Sequence, residues 1–135
     1  MIERTLAIIK PDAVAAKNTG KIIDMIEANG FNILRIQKLK MASDHGKAFY
    51  AVHKDRPFFG ELVDFISSGP VVVLALEKEN AVKAWRDLMG ATNPKDAAEG
   101  TVRKLYAESI GKNAAHGSDS AENAAQELRF FFHDL

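Results

Sequence analysis

Apolar positions in this chain follow two periods, and the switches between them mark its elements. "RTLAIIK" (residues 4–10) is apolar on both faces, as expected of a strand in the middle of a sheet, and Pro11 and Asp12 end it. Over residues 21–29, Ile22, Ile23 and Ile26 share one helical face, and Gly30 supplies the stop. "FNILRIQKLKM" (31–41) reads as a second strand, more polar and so nearer an edge. "SDHGKAFYAVHKD" opens on Ser43 as a capping residue and reads as a helix. Pro57 starts another, "PFFGELVDFISSG", with Phe58, Leu62 and Phe65 at helical spacing. "GPVVVLALE" (69–77) is a strand buried on both faces and β-branched at its start. Residues 79–90 form a helix that Gly90 closes.

The pattern then breaks. Residues 91–112 hold Thr92, Pro94, Gly100 and Gly111 around one short helix, "TVRKLYAES". A connection this long without a disordered composition points to function. "NAAH" is a short last strand, and Asp119 to Glu122 has capping-box spacing before a final helix. This order predicts an α+β fold, a ferredoxin-like split βαβ sandwich. It has a four-stranded antiparallel sheet, added helices and a long loop, with the first and third strands central. Residues 1–135 are expected to form one domain.

Composition narrows the classes. With 47% hydrophobic and 27% charged residues, the 135-residue chain reads as ordinary globular protein. No apolar run approaches the roughly 20 residues that span a bilayer. Glu3, Arg4 and Lys10 around the first apolar run fit a strand rather than a signal peptide. The lack of cysteine excludes disulfides and thiolate catalysis, and a cytoplasmic location is expected. Eighteen basic and eighteen acidic residues cancel, so binding a polyanion would take a local cluster, and no membrane or nucleic-acid partner is expected. There is no Walker A sequence and no G-x-G-x-x-G. No two histidines share a helix face at metal-ligand spacing, so no direct metal site is expected. Asp119 and Glu122 read as the acids that favour a helix N-terminus.

His116, in "NAAHGSDS" (113–120), is the candidate for chemistry. Ala114, Ala115 and Gly117 put nothing bulky beside it, and neutral imidazole is a competent nucleophile near pH 7. Asp119 or Glu127 could hold its tautomer. A satisfied histidine in a turn is the competing reading. Lys10, Arg86 and Arg103, with Lys112 and Asn113, are cations and an amide that could converge on phosphate. Phe58 beside Phe59 offers either a stacking platform or two core rings, and Tyr50 ends its helix.

The chain resembles the nucleoside diphosphate kinase family. "RTLAIIKPDAV", "FYAVHKDRPFFGELVDFISSGPVVV", "RDLMGATNP", "GTVR" and "NAAHGSDS" read as its blocks, in family order. The resemblance implies transfer of the terminal phosphate of a nucleoside triphosphate to a nucleoside diphosphate, through a phosphohistidine at His116. Glu127 and Ser118 would orient the imidazole, and Tyr50 would approach the transferred phosphate. Lys10, Arg86, Thr92, Arg103 and Asn113 match positions that hold phosphates and sugar hydroxyls. Phe58 matches the ring on which the base stacks, with Leu62 and Ile110 completing the slot. Magnesium (Mg2+) would arrive on the nucleotide. The long loop would cover the nucleotide and touch neighbouring subunits of a homo-oligomer, a tetramer or hexamer. Glu99, Leu105, Tyr106 and Lys112 depart from the family pattern in or near that loop, and the chain stops at "FFFHDL" without the extension of longer relatives.

Two rival readings make different predictions. A ferredoxin-like module for single-stranded nucleic acid would display aromatics on its central strands, and "TLAIIK" and "VVVLAL" have none. A dead homologue kept as a scaffold would have lost site residues, yet His116, Lys10, Arg86, Arg103 and Asn113 are all present.

Overall fold

The computed structural model describes residues 1–135. Its strands are β1 (Ile2–Ile9), β2 (Asn32–Leu39), β3 (Val71–Glu79) and β4 (Ala115–Gly117). Its helices are α1 (Pro11–Ala15), α2 (Thr19–Ala28), α3 (Ser43–Phe49), α4 (Phe59–Ile66), α5 (Ala81–Met89), α6 (Val102–Tyr106) and α7 (Ala121–Phe131). The sheet is antiparallel throughout, in the order β2-β3-β1-β4. The first and third strands are therefore central, and the fold is the expected α+β sandwich. β2 is an edge strand with four consecutive exposed residues and a register irregularity between Ile33 and Arg35.

Strand periodicity divides the core. On one face, Ala7 and Ile9 of β1 and Val72, Leu74 and Leu76 of β3 pack with Ile22 and Ile26 of α2 and Trp85 and Met89 of α5. On the other, Leu6, Ile8, Val71, Val73 and Ala75 pack with Val63 and Ile66 of α4, Leu128 of α7 and Phe132 just after it. Successive side chains of a strand point to opposite faces, so a doubly apolar strand needs both faces covered. α2 and α5 therefore cover one face of the sheet, and α4 and α7 the other.

The structure moves several boundaries. Pro11 and Asp12 end β1 but also open α1, with proline at the first helical position, where no N–H is needed. Five residues are too few to display a helical period. Ala42, not Ser43, is the N-cap of α3, and no side chain caps it. Pro57 precedes rather than starts α4, whose N-cap is Phe58. Before α7 the cap is Ser120, whose hydroxyl accepts from the Asn123 amide at 3.0 Å. Asp119 accepts from the Asn123 side-chain Nδ2 at 2.8 Å instead.

Candidate active site around His116

β4 sets His116 opposite Ile8 of the central strand. Its Nε2 lies 2.9 Å from Glu127 Oε1, two turns into α7. The buried Ser118 hydroxyl donates to the same carboxylate oxygen at 2.8 Å and accepts from the Leu6 amide at 3.4 Å. An ionised carboxylate only accepts, so the imidazole proton belongs on Nε2 and the lone pair on Nδ1. Ser118 therefore acts on the imidazole through Glu127. The Phe49 ring meets the His116 ring nearly edge-on, with centroids 5.3 Å apart. Tyr50 is buried beside it, and burial, then the Glu127 charge, pushes its phenol up to about 12, leaving a hydroxyl that can donate at neutral pH.

His116, Gly117 and Asp119 form the wall between two cavities. One, about 350 Å³, is lined by Phe49, Tyr50, His53, Gln126 and Glu127. The other, about 690 Å³, is lined by Arg86, Thr92, Thr101 and Arg103. The second brings guanidinium groups and hydroxyls to the imidazole, an arrangement suited to phosphate oxygens. A hydrogen bond from Asn123 is the largest influence holding the Asp119 carboxyl below its usual range, which keeps it ionised there.

Arg103 is less free than its sequence position suggests. Its Nε donates to the Asn113 carbonyl at 3.2 Å, Nη1 to Gly90 at 3.0 Å and Nη2 to Ala115 at 2.9 Å. Of five guanidinium N–H groups, two remain for a ligand. Burial, then the Arg86 charge, lowers its pKa. Lys10 sits just past β1, and its Nζ donates to Asn113 Oδ1 at 3.0 Å. Asn113 Nδ2 donates in turn to the Ile110 carbonyl at 3.0 Å. Lys10 and Asn113 are both buried and line neither cavity. Phe58 is 43% exposed and Ile110 58% exposed, while Leu62 packs against the second core. The structure does not bring these three into either cavity beside His116.

Three features had no sequence signal strong enough to find. Ala114 adopts φ 72°, a left-handed conformation that costs a non-glycine residue about 1 kcal/mol or more. Asp12 Oδ2 accepts from its amide at 3.1 Å, and its carbonyl accepts from the Lys10 amide at 2.9 Å. The Trp85 indole donates to the His116 carbonyl at 3.0 Å. The small residues flanking His116 have a packing cause: Ala114 and Ala115 are fully buried, and a Cβ on Gly117 would lie 2.5 Å from Trp85 Cδ1. They let β4 approach α5 rather than clearing space for a reactant.

Burial and the charge of Arg103 lower the Lys10 ammonium from 10.5 to about 8, against the pull of Asp12. Lys10 is cationic below that value, so affinity for an anionic ligand is expected to fall as pH rises through 8. Titration calorimetry across pH 7 to 9.5 would reveal this, and Lys10→Met should flatten the profile; an unchanged profile would mean another group sets it. Stability runs the other way. The unfolded lysine keeps its proton up to 10.5, so the ligand-free protein gains stability from about pH 8 to 10.5.

The family model described as Nucleoside diphosphate kinase matches residues 3–135. The chain is 62% identical over 131 residues to a nucleoside diphosphate kinase from Campylobacter concisus, covering 97% of this chain and 96% of that protein. It is 56% identical over 134 residues to one from Pelobacter propionicus, covering 99% and 98%. A crystal structure of the Aquifex aeolicus nucleoside diphosphate kinase superposes with a TM-score of 0.96 at 43% identity, covering 98% of this chain and 96% of that one. The apo structure of the Encephalitozoon cuniculi enzyme superposes with a TM-score of 0.91 at 35% identity, covering 96% and 88%. A family match over nearly the whole chain, close relatives at matching length and a shared fold agree: this chain belongs to the nucleoside diphosphate kinase family.

Proposed function

We propose that this chain performs the family's reaction, moving the terminal phosphate of a nucleoside triphosphate such as ATP to a nucleoside diphosphate, through a phosphohistidine at Nδ1 of His116. The observation that carries this reading is the Glu127–His116 contact, which leaves Nδ1 basic on the wall of a cavity lined by Arg86, Thr92 and Arg103. In the first half-reaction the Nδ1 lone pair attacks the γ-phosphorus, the bond from phosphorus to the β–γ bridging oxygen breaks, and the diphosphate leaves with that electron pair. In the second, a terminal oxygen of the acceptor's β-phosphate attacks the same phosphorus and the P–N bond breaks. Glu127 stabilises the ring proton at Nε2 as positive charge develops on the imidazole. Ser118 fixes Glu127, and the Tyr50 hydroxyl is a donor toward the moving phosphoryl group. Arg86, Thr92 and the two spare N–H groups of Arg103 hold phosphate oxygens, and Lys10 and Asn113 anchor sugar hydroxyl and phosphate once a nucleotide draws them from each other.

Magnesium fits this site as cargo of the nucleotide. No three carboxylate or imidazole side chains gather into a metal cage, while Asp87, Asp96 and Asp119 are spread around the cationic cavity and suit an ion that keeps its waters and phosphate ligands. When bound, magnesium neutralises phosphate charge. Assembly into a homo-oligomer, tetramer or hexamer, belongs to the same reading, as does a cytoplasmic location; no helix is long and apolar enough to cross a membrane.

Phe58, exposed at the N-cap of α4, is the base platform in this reading, with Leu62 and Ile110 beside the base. Phe58→Ala is expected to weaken nucleotide binding by about 1–3 kcal/mol, and to a similar extent for each base, since every base has a π-face. Equal affinities of mutant and parent for ADP and GDP would remove Phe58 from the site.

The deciding experiment incubates the protein with γ-labelled ATP and magnesium. Acid-labile, base-stable label on His116, discharged by GDP with formation of GTP, is the expected result. ATP binding without label would favour a scaffold that has lost the chemistry.

A further inference from the structure

The imidazole of His116 is gripped by α7 through Glu127, but its main chain is gripped from the opposite face of the sheet. Trp85, fully buried on α5, donates its indole N–H to the carbonyl of His116 itself at 3.0 Å. A buried indole needs one acceptor, and of all the carbonyls near α5 it takes the nucleophile's. Phe31 holds the indole edge-on, with centroids 6.3 Å apart at 85°. The contact also dictates the next residue. A Cβ at position 117 would lie 2.5 Å from Trp85 Cδ1 and 2.8 Å from Nε1, so only glycine admits the indole. The residue after Trp85 on α5 is Arg86, which lines the cationic cavity with His116. One helix therefore presents a phosphate-binding guanidinium and fixes the backbone of the group that receives the phosphate.

We propose that Trp85 is a positioning residue for phosphoryl transfer, setting the distance between His116 and Arg86 through the indole–carbonyl hydrogen bond. This rests on the phosphohistidine reading above. Phosphoryl transfer depends mainly on placement, and a nucleophile displaced by one ångström can lose about 100-fold in rate. Trp85→Phe keeps the ring and removes the donor.

The test follows one half-reaction in both proteins: the single-turnover rate of His116 labelling by γ-labelled ATP, alongside ATP affinity by calorimetry. Trp85→Phe is expected to label about tenfold more slowly at saturating ATP, with affinity unchanged. Equal labelling rates at a temperature where both proteins are folded would overturn the proposal, as would rate and affinity falling together. Trp85 is the only tryptophan in the chain, so its indole N–H gives one resonance in a ¹⁵N spectrum. That resonance in the parent protein is expected to shift when His116 is phosphorylated; an unmoved resonance would overturn the proposal even where the variant fails to fold. Absence of label on the parent protein would overturn the phosphohistidine reading and this proposal together, whereas a labelled parent with an equally fast variant overturns this one alone.

Discussion

His116→Ala is expected to reduce turnover by about a million-fold, the scale on which removing a covalent nucleophile acts, while nucleotide affinity stays near that of the parent. The asymmetry follows from how the site is divided. Arg86, Thr92 and Arg103 line the cavity without depending on the imidazole, so phosphate binding in the proposed site is expected to survive its loss. The covalent intermediate does not. The other imidazole and the phenol in the two cavities are poorly placed to replace it: Tyr50 is held near 12, and His53 lines only the smaller cavity. Substitution also frees Glu127 and Ser118 from the imidazole without disturbing the Trp85 bond, which is made to a backbone carbonyl. Coupled spectrophotometric assay and calorimetry on one preparation would check both halves. Substantial residual turnover with no label elsewhere would point to direct transfer between two bound nucleotides and end the ping-pong reading.

Arg103→Ala is expected to be the costliest change for stability at the site. Three carbonyls, of Gly90, Asn113 and Ala115, lose their guanidinium donors at once. The Asn113 carbonyl still accepts from the Ala115 amide at 2.9 Å, so two acceptors are left unpaired. Leaving a buried acceptor unpaired costs about 1–3 kcal/mol, so a loss of about 2 kcal/mol or more is expected from urea denaturation. These bonds tie the end of α5, the turn before β4 and β4 itself together, so His116 should move with them and labelling should slow. Arg103→Lys should rescue little, because a single ammonium cannot reproduce a planar fork spanning three acceptors. A stability within about 1 kcal/mol of the parent would mean that water replaces the guanidinium, leaving Arg103 chiefly a ligand-facing cation.

Much of the fold was legible because its signals are local. The doubly apolar runs of β1 and β3, the polar run of β2 and the glycines after α2 and α5 each announce their element within ten residues. What failed was short or competed for. α1 has five residues, too few for a period to show, and Asp119 lost the cap of α7 to Ser120 because its carboxylate took the side chain of Asn123. At the site, Glu127 was reachable from sequence because it lies on the helix that follows His116, eleven positions away. Trp85 was not, because the contact spans thirty-one positions and depends on how α5 lies across β4. The small residues around His116 suggest open space along the sequence, and in the fold they are the close approach of two packed elements.

By itself the sequence determined the order of the strands and longer helices, the two covered faces of the sheet, the candidate nucleophile and the family, since periodicity and contiguous blocks need no knowledge of distance. Only the tertiary structure decided that Glu127 meets Nε2 of His116, how many donors Arg103 can spare, that Lys10 and Asn113 hold each other, and that an indole grips the His116 carbonyl. Each of these is a hydrogen bond between groups with few acceptors and fixed directions. Which partner such a group takes is settled by angles and ångströms between segments far apart in the chain, and residue spacing does not encode them.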